Sequence, residues 1–243
     1  RLDMILIPAI DIRGGKCVRL SQGKADQQKV YGEDPVDAAL RWQSQGAQRL
    51  HIVDLDGAFE GKLKNADTLR RILKEVKVAT ELGGGLRNEA TVEEAFAMGV
   101  GTVILGTAAF TDQAFLKKTL KRYGDKVLVG IDAKDGWVQA RGWTEALDIR
   151  AVDAAKQLEQ MGAKGLVCTD IKTDGMLTGP NIPFLQEMLD TVDVDIIASG
   201  GVARVEDLEA LSHLDLFGVI VGKALYEDRF TVKEALAACS PKG

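Results

Sequence analysis

Leu6–Asp11 reads LIPAID, an apolar run whose last residue is a carboxylate, and Leu128–Asp132 repeats the pattern as LVGID. A continuous run of Ile, Leu and Val of this length suits a strand buried on both faces, as in a parallel sheet. Such an interior cannot hold an unpaired charge, so each aspartate is expected at the end of its strand. The two carboxylates then read as an acid and a base facing each other across one site.

Outward from this pair the chain alternates strands with helices. The segment RGGKCVRLSQG after Asp11 reads as a loop, and a helix follows from about Pro35 to Gly46, capped by Asp34. A strand over Arg49–Leu55 ends in Asp54, Asp56 and Gly57, and the next, Val78–Leu82, ends in Gly83, Gly84 and Gly85. Thr102–Leu105 ends at Gly106 and Thr107, with helices expected near 66–76, 89–98 and 113–123. In the second half, strands end at Asp132, Asp170, Ser199 and Gly222, with helices over about 149–161, after Asn181, over about 205–212 and at the carboxyl end.

Eight such units in 243 residues predict an α/β protein folded as a single (β/α)8 barrel over residues 1–243, with a doubly wound open sheet as the competitor. Internal repetition favours the barrel. Asp54 and Asp170, Gly84 and Gly200, Gly85 and Gly201, and Gly106 and Gly222 are each 116 residues apart, while Asp11 and Asp132 are 121 apart. Two similar half-barrels joined in this way have pseudo-twofold symmetry, and no linker divides them.

Composition narrows the function without naming it. A net charge of -5, from 31 basic and 36 acidic residues, offers no basic patch for nucleic acid. Lys117, Lys118, Lys121 and Arg122 cluster, but their helical spacing reads as a solvated helix face. Cys17, Cys168 and Cys239 are too scattered for a disulfide framework or a zinc site, which suits a reducing compartment. No apolar stretch approaches a membrane span and no signal peptide is evident, so a cytoplasmic protein without a membrane partner is expected. We expect a monomer.

In a barrel of this kind the strand-end residues face one mouth. Gly83–Gly85 with Gly106 and Thr107 form one group there, and Ser199–Gly201 with Gly222 and Lys223 form another. Each can offer backbone amides, and the positive end of the following helix, to a phosphate. The matched groups suggest a ligand with a phosphate at each end; tight turns are the plainer alternative. Asp11 and Asp132 lie half a barrel apart and fit acid-base work, against helix capping or a salt bridge. Thr169, Asp170 and Asp174 follow strand six, where a hydroxyl could orient a substrate oxygen or a carboxylate could cap the loop. His51 lies mid-strand and reads as a satisfied interior histidine rather than a base, His213 as a surface residue, and no His or Cys cluster supports a metal.

The runs IPAIDIRGGKCVRLSQG, LHIVDLDGA, ELGGGLR, VILGTAAF, TDGMLTGPN, ASGGV and VIVGKALY carry a resemblance across essentially the whole chain. Together they resemble the isomerase family of histidine biosynthesis that acts on phosphoribosylformimino aminoimidazole carboxamide ribotide. The glycine motifs are shared with the cyclase of the same pathway, which VDLDGA and ARGWT disfavour; a non-catalytic phosphosugar-binding barrel is the other rival. The resemblance implies a cofactor-free Amadori rearrangement, with Asp11 as general base, Asp132 as general acid, Thr169 as an assisting hydroxyl and Asp174 as a nearby carboxylate. The residues expected to contact the diphosphate ribotide are Arg19, Gly84, Gly85, Gly106, Thr107, Trp143, Gly175, Ser199, Gly200, Gly201, Gly222 and Lys223. Arg19 and ARGWT also resemble bifunctional members that isomerise phosphoribosylanthranilate, where Trp143 could stack on the substrate and Arg19 could pair with its carboxylate.

Overall fold

A computed structural model describes residues 3–21, 24–31, 34–140 and 145–240 of the chain. The first half runs β1 (Ile5–Arg13), β2 (Lys16–Ser21), β3 (Lys24–Val30), α1 (Pro35–Ser44), β4 (Arg49–Asp54), α2 (Leu55–Glu60) and α3 (Ala66–Glu75). It continues through β5 (Ala79–Gly83), α4 (Glu89–Met98), β6 (Thr102–Leu105), α5 (Thr107–Thr111) and α6 (Gln113–Tyr123). The second half runs β7 (Val127–Lys134), β8 (Trp137–Ala140), β9 (Glu145–Arg150), α7 (Ala151–Gln160), β10 (Gly165–Asp170) and α8 (Ile182–Leu189). It ends with β11 (Asp195–Ser199), α9 (Val205–Ser212), β12 (Gly218–Val221), α10 (Lys223–Tyr226) and α11 (Val232–Cys239).

Strands β1, β4, β5, β6, β7, β10, β11 and β12 pair in parallel in that order. β12 then returns to β1, with Ile5 opposite Gly218 and Pro8 opposite Val221, so the sheet closes as a (β/α)8 barrel and the open-sheet alternative falls. The apolar runs are buried on both faces, as the sequence implies. Ile7, Ala9, Ile104, Leu128, Val167, Ile197 and Ile220 fill the barrel, while Leu6, Ile10, Leu50, Ile52, Leu82 and Leu105 pack outward beneath the helices. The basic cluster on α6 is exposed, with Lys118 and Arg122 paired to Glu89 and Glu93 of α4. Among the described residues no helix is long and apolar enough to cross a membrane.

The segment read as a loop after Asp11 is instead a β-hairpin. β1 continues to Arg13 and pairs antiparallel with β2, which pairs with β3. β7 likewise runs on to Lys134 and pairs with β8, which pairs with β9. The turns are Gly14-Gly15 (φ 55° and 74°) and Asp135-Gly136 (φ 52° and 79°), two-residue connections whose left-handed backbone matches the strand twist. Asp11 and Asp132 therefore sit where the parallel barrel gives way to a hairpin, not at a bare strand end. β9 also occupies Glu145–Arg150, so the helix expected from Ile149 begins two residues later, at Ala151.

Asp54, fully buried at the end of β4, shows how a charge survives inside. Its carboxylate accepts from the backbone amides of Gly57 (2.9 Å), Lys64 (2.7 Å) and Asn65 (3.0 Å) and from Asn65 Nδ2 (2.7 Å). The partner half repeats the device, since Asp170 accepts from the Lys172 amide (2.9 Å) and from Asn181 Nδ2 (2.6 Å). Gly84 (φ 94°) lies against this corner; a Cβ there would stand 2.2 Å from the Asp54 carbonyl oxygen, so only glycine fits. Asp54→Ala would strand several buried donors and is expected to destabilise the protein by about 3 kcal/mol or more, read as a lower midpoint in urea unfolding at constant slope.

Candidate active site

A cavity of about 250 Å³ opens at the carboxyl ends of the barrel strands and is lined by Asp11, Arg19, His51, Asp132, Thr169 and Asp174 among others. Thr169 and Ser199 extend the row begun by Asp132, because Asp132 is the register partner of Thr169 and Thr169 of Ser199. The corresponding row of the first half is Asp11, Val53 and Gly83. One wall thus carries a carboxylate with two hydroxyls, the other a carboxylate on an otherwise apolar row.

Asp11 is nearly buried and accepts from Arg19 Nη1 at 2.7 Å. Burial alone would lower the affinity of the guanidinium for its proton, but Asp11 and Asp174 outweigh it and hold Arg19 above its ordinary range. Arg19 comes from β2, and aromatic packing steadies the far end of that hairpin: Tyr31 stacks on Tyr226 of α10 at 4.8 Å, and Lys29 pairs with Glu227 at 2.9 Å. With its guanidinium committed to Asp11, Arg19 is a partner of the proposed base. Burial pushes the Asp174 carboxyl up to about 6; Arg19 opposes the shift, while Asp11 and Asp132 add to it.

The two glycine groups flank this cavity. Gly84, Gly85, Gly106 and Thr107 line its first-half rim. Ser199, Gly200, Gly201, Gly222 and Lys223 line a recess beside it, together with Arg19, Asp174 and Gly175. Lys223 Nζ donates to the Gly175 carbonyl at 3.0 Å, which ties the loop after β10 to this rim. The helices that follow Gly106 and Gly222 are only five and four residues long. A phosphate there would meet first-turn amides rather than the dipole of a long helix, as at the phosphate site commonly found late in such barrels. Trp143 lies outside the described residues.

Sequence reasoning passed over Arg87, which lines the cavity and donates to the Ala58 carbonyl at 2.8 Å. Its signal was its place immediately after the glycines and Leu86. Its repeat position holds Ala203, so the cation of the first rim follows β5 whereas that of the second, Lys223, follows β12. His51 also lines the cavity while its Nδ1 meets Glu81 at 2.8 Å, so it is partnered yet not withdrawn from the site. His213 is exposed. Among the described residues no group of three His, Cys, Asp or Glu is placed to hold a metal ion.

Fold and site together define a barrel enzyme whose cavity has ionisable groups on both walls. The chain belongs to the histidine biosynthesis protein family, whose model matches residues 5–231. It is 49% identical over 235 residues to a protein of Ruminiclostridium cellulolyticum, covering 97% of this chain and 100% of that one. It is 48% identical over 226 residues to one of Alkaliphilus metalliredigens, covering 93% and 95%, and 47% identical over 234 residues to one of Thermodesulfovibrio yellowstonii, covering 96% of each. All three are named 1-(5-phosphoribosyl)-5-((5-phosphoribosylamino)methylideneamino) imidazole-4-carboxamide isomerase.

A Cβ on Gly222 would fall 2.4 Å from Arg19 Cζ. Gly222→Ala is therefore expected to push the guanidinium off Asp11, to lower turnover at least about tenfold and to lower the melting temperature by about 6 °C or more. Asp174 binds its proton more tightly folded than unfolded, so its contribution is most favourable at low pH and is lost as pH rises through about 6. Asp174→Asn should accordingly melt higher than the parent at pH 8, by about 2–4 °C per kcal/mol, and the difference should close toward pH 4.

Proposed function

We propose that the protein is an isomerase of histidine biosynthesis that converts phosphoribosylformimino aminoimidazole carboxamide ribotide, an aminoaldose with two phosphates, into the aminoketose. The observation that carries this reading is the placement of Asp11 and Asp132 half a barrel apart on one cavity, between two glycine rims related by the 116-residue repeat. Family membership and the names of the relatives support it further.

In this reading the glycine rims hold the two phosphates and lay the sugar between the carboxylates. Asp132 protonates the ring oxygen, which opens the sugar to a Schiff base. Asp11 removes the proton from the second carbon to give an enolamine, and return of that proton to the first carbon, with loss of the hydroxyl proton on the second, yields the ketose. Thr169, beside Asp132, steadies the ring oxygen, and Asp174 supplies a second carboxyl that holds its proton up to about pH 6. Each step is a proton transfer between held groups, so positioning and acid-base catalysis supply the rate. The same reading makes the protein a cytoplasmic monomer, in keeping with its net charge of -5 and its three buried cysteines.

The test is turnover of the ribotide by the purified protein. Asp11→Asn and Asp132→Asn are each expected to lower kcat about 1,000-fold while ligand affinity changes severalfold at most. Retained turnover in both variants would contradict the assignment.

A further inference from the structure

Beneath the two aspartates the barrel holds a chain of ionisable groups that the mechanism above does not use. Arg49 on β4 donates to Glu81 Oε2 on β5 at 3.2 Å, and His51 Nδ1 meets Glu81 Oε1 at 2.8 Å. Glu81 is fully buried, and Arg49 also stands 5.4 Å above the Phe217 ring. The repeat shows that the fold does not require these charges. The positions 116 residues on are Gly165, Val167 and Ile197, and the last two belong to the apolar filling of the barrel. A buried ion pair is rarely more stable than well-packed apolar groups of similar volume, and here one half of the molecule already uses the apolar solution.

The chain fixes His51 in one orientation. With Arg49 neutralising Glu81 from one side, the carboxylate accepts the Nδ1 proton of His51, which leaves Nε2 as the unprotonated nitrogen of a side chain that lines the cavity. The neighbour of His51 on β1 is Ala9, one pleat below Asp11, and its small side chain leaves room for the ring under that carboxylate. Asp11, Arg19, Asp132 and Asp174 line the same cavity.

We propose that His51 is a third acid-base residue of this site, accepting through Nε2 the hydroxyl proton that must leave the second carbon of the sugar as the ketone forms, with Glu81 and Arg49 as its positioning residues. The inference rests on the isomerisation proposed above. In that reaction Asp132 gives one proton to the ring oxygen, and Asp11 carries one proton from the second carbon to the first. As the first carbon is protonated, the enol O–H electrons become the second bond of C=O, and the hydroxyl proton passes to His51. Asp11 still holds its own proton until that step and cannot take another. His51 then releases its proton to water as product leaves, and Asp132 regains one from water, so both groups return to their starting states.

The experiment measures kcat and KM for the ribotide from pH 5.5 to 9, with melting temperatures, in the parent, His51→Asn, His51→Gln and Glu81→Gln. Asn keeps a donor toward Glu81 and removes the cavity-side nitrogen. It is expected to lower kcat about 100-fold with KM changed less than about threefold, and to shift the acid limb of the kcat profile. Gln places a polar atom near Nε2 but cannot take a proton, so its loss should be smaller in KM than in kcat. Glu81→Gln should reproduce the shifted limb with a weaker loss. A His51→Asn variant with its melting temperature intact and kcat within threefold of the parent overturns the inference, and if that variant does not fold, unchanged kcat and pH profile in His51→Gln do so. A parent that leaves the ribotide unchanged overturns the isomerase reading itself, and a parent that turns it over alongside an unimpaired His51→Asn overturns this inference alone.

Discussion

A charge inside a parallel barrel survives only where its partners are fixed beside it, because the interior offers no water to take their place. Asp54 meets this with four donors, Glu81 with Arg49 and His51, and Asp11 with Arg19. The first joins elements that the backbone ladder leaves independent, and the other two add side-chain bonds between strands it already pairs. Asp54 ties the end of β4 to the start of α3, and Asp11 ties β1 to the hairpin folded back over it. Breaking a buried pair by removing one partner typically costs about 3–5 kcal/mol, so these few residues hold the mouth of the barrel in shape.

Much of this was legible in the sequence because it depends on periodicity. Apolar runs at Leu6 and Leu128, glycines at matched offsets and carboxylates after each run imply strands, closure and a shared mouth. The hairpins were missed although both turns, Gly14-Gly15 and Asp135-Gly136, carry two-residue hairpin signals; the strands that follow are short, and the third strand of each, KADQQKV and EALDIR, is largely polar. The short helices α2, α5 and α10 were missed because a single turn presents no repeat of helical spacing. The partnership of Arg19 with Asp11 was not legible either. It depends on β2 pairing back on β1, and spacing along the chain does not report a contact across a turn.

The two halves have kept one backbone and diverged in side chains where it matters. At one level of the barrel the second half places Asp132, Thr169 and Ser199, while the first places Asp11, Val53 and Gly83. One level below, the first half has Ala9, His51 and Glu81, with Arg49 a level further down, and the second has Gly130, Val167 and Ile197, with Gly165 further down. Polar groups on one side therefore lie above apolar groups, and on the other beneath them. A symmetry of fold thus carries an asymmetry of chemistry on matching strands.

The same divergence reaches the rims. Arg87 stands on one and Lys223 on the other, contributed by different connections, and Ala203 and Thr107 occupy the repeat positions. A flat guanidinium and a compact ammonium do not grip a phosphate alike. A molecule bearing a phosphate at each end is nearly palindromic, and a symmetric cradle would accept it in either polarity, half the time with the wrong carbon toward Asp11. Under the proposed function, unlike rims give the scaffold a reading direction, which turns a repeated fold into a site that knows head from tail.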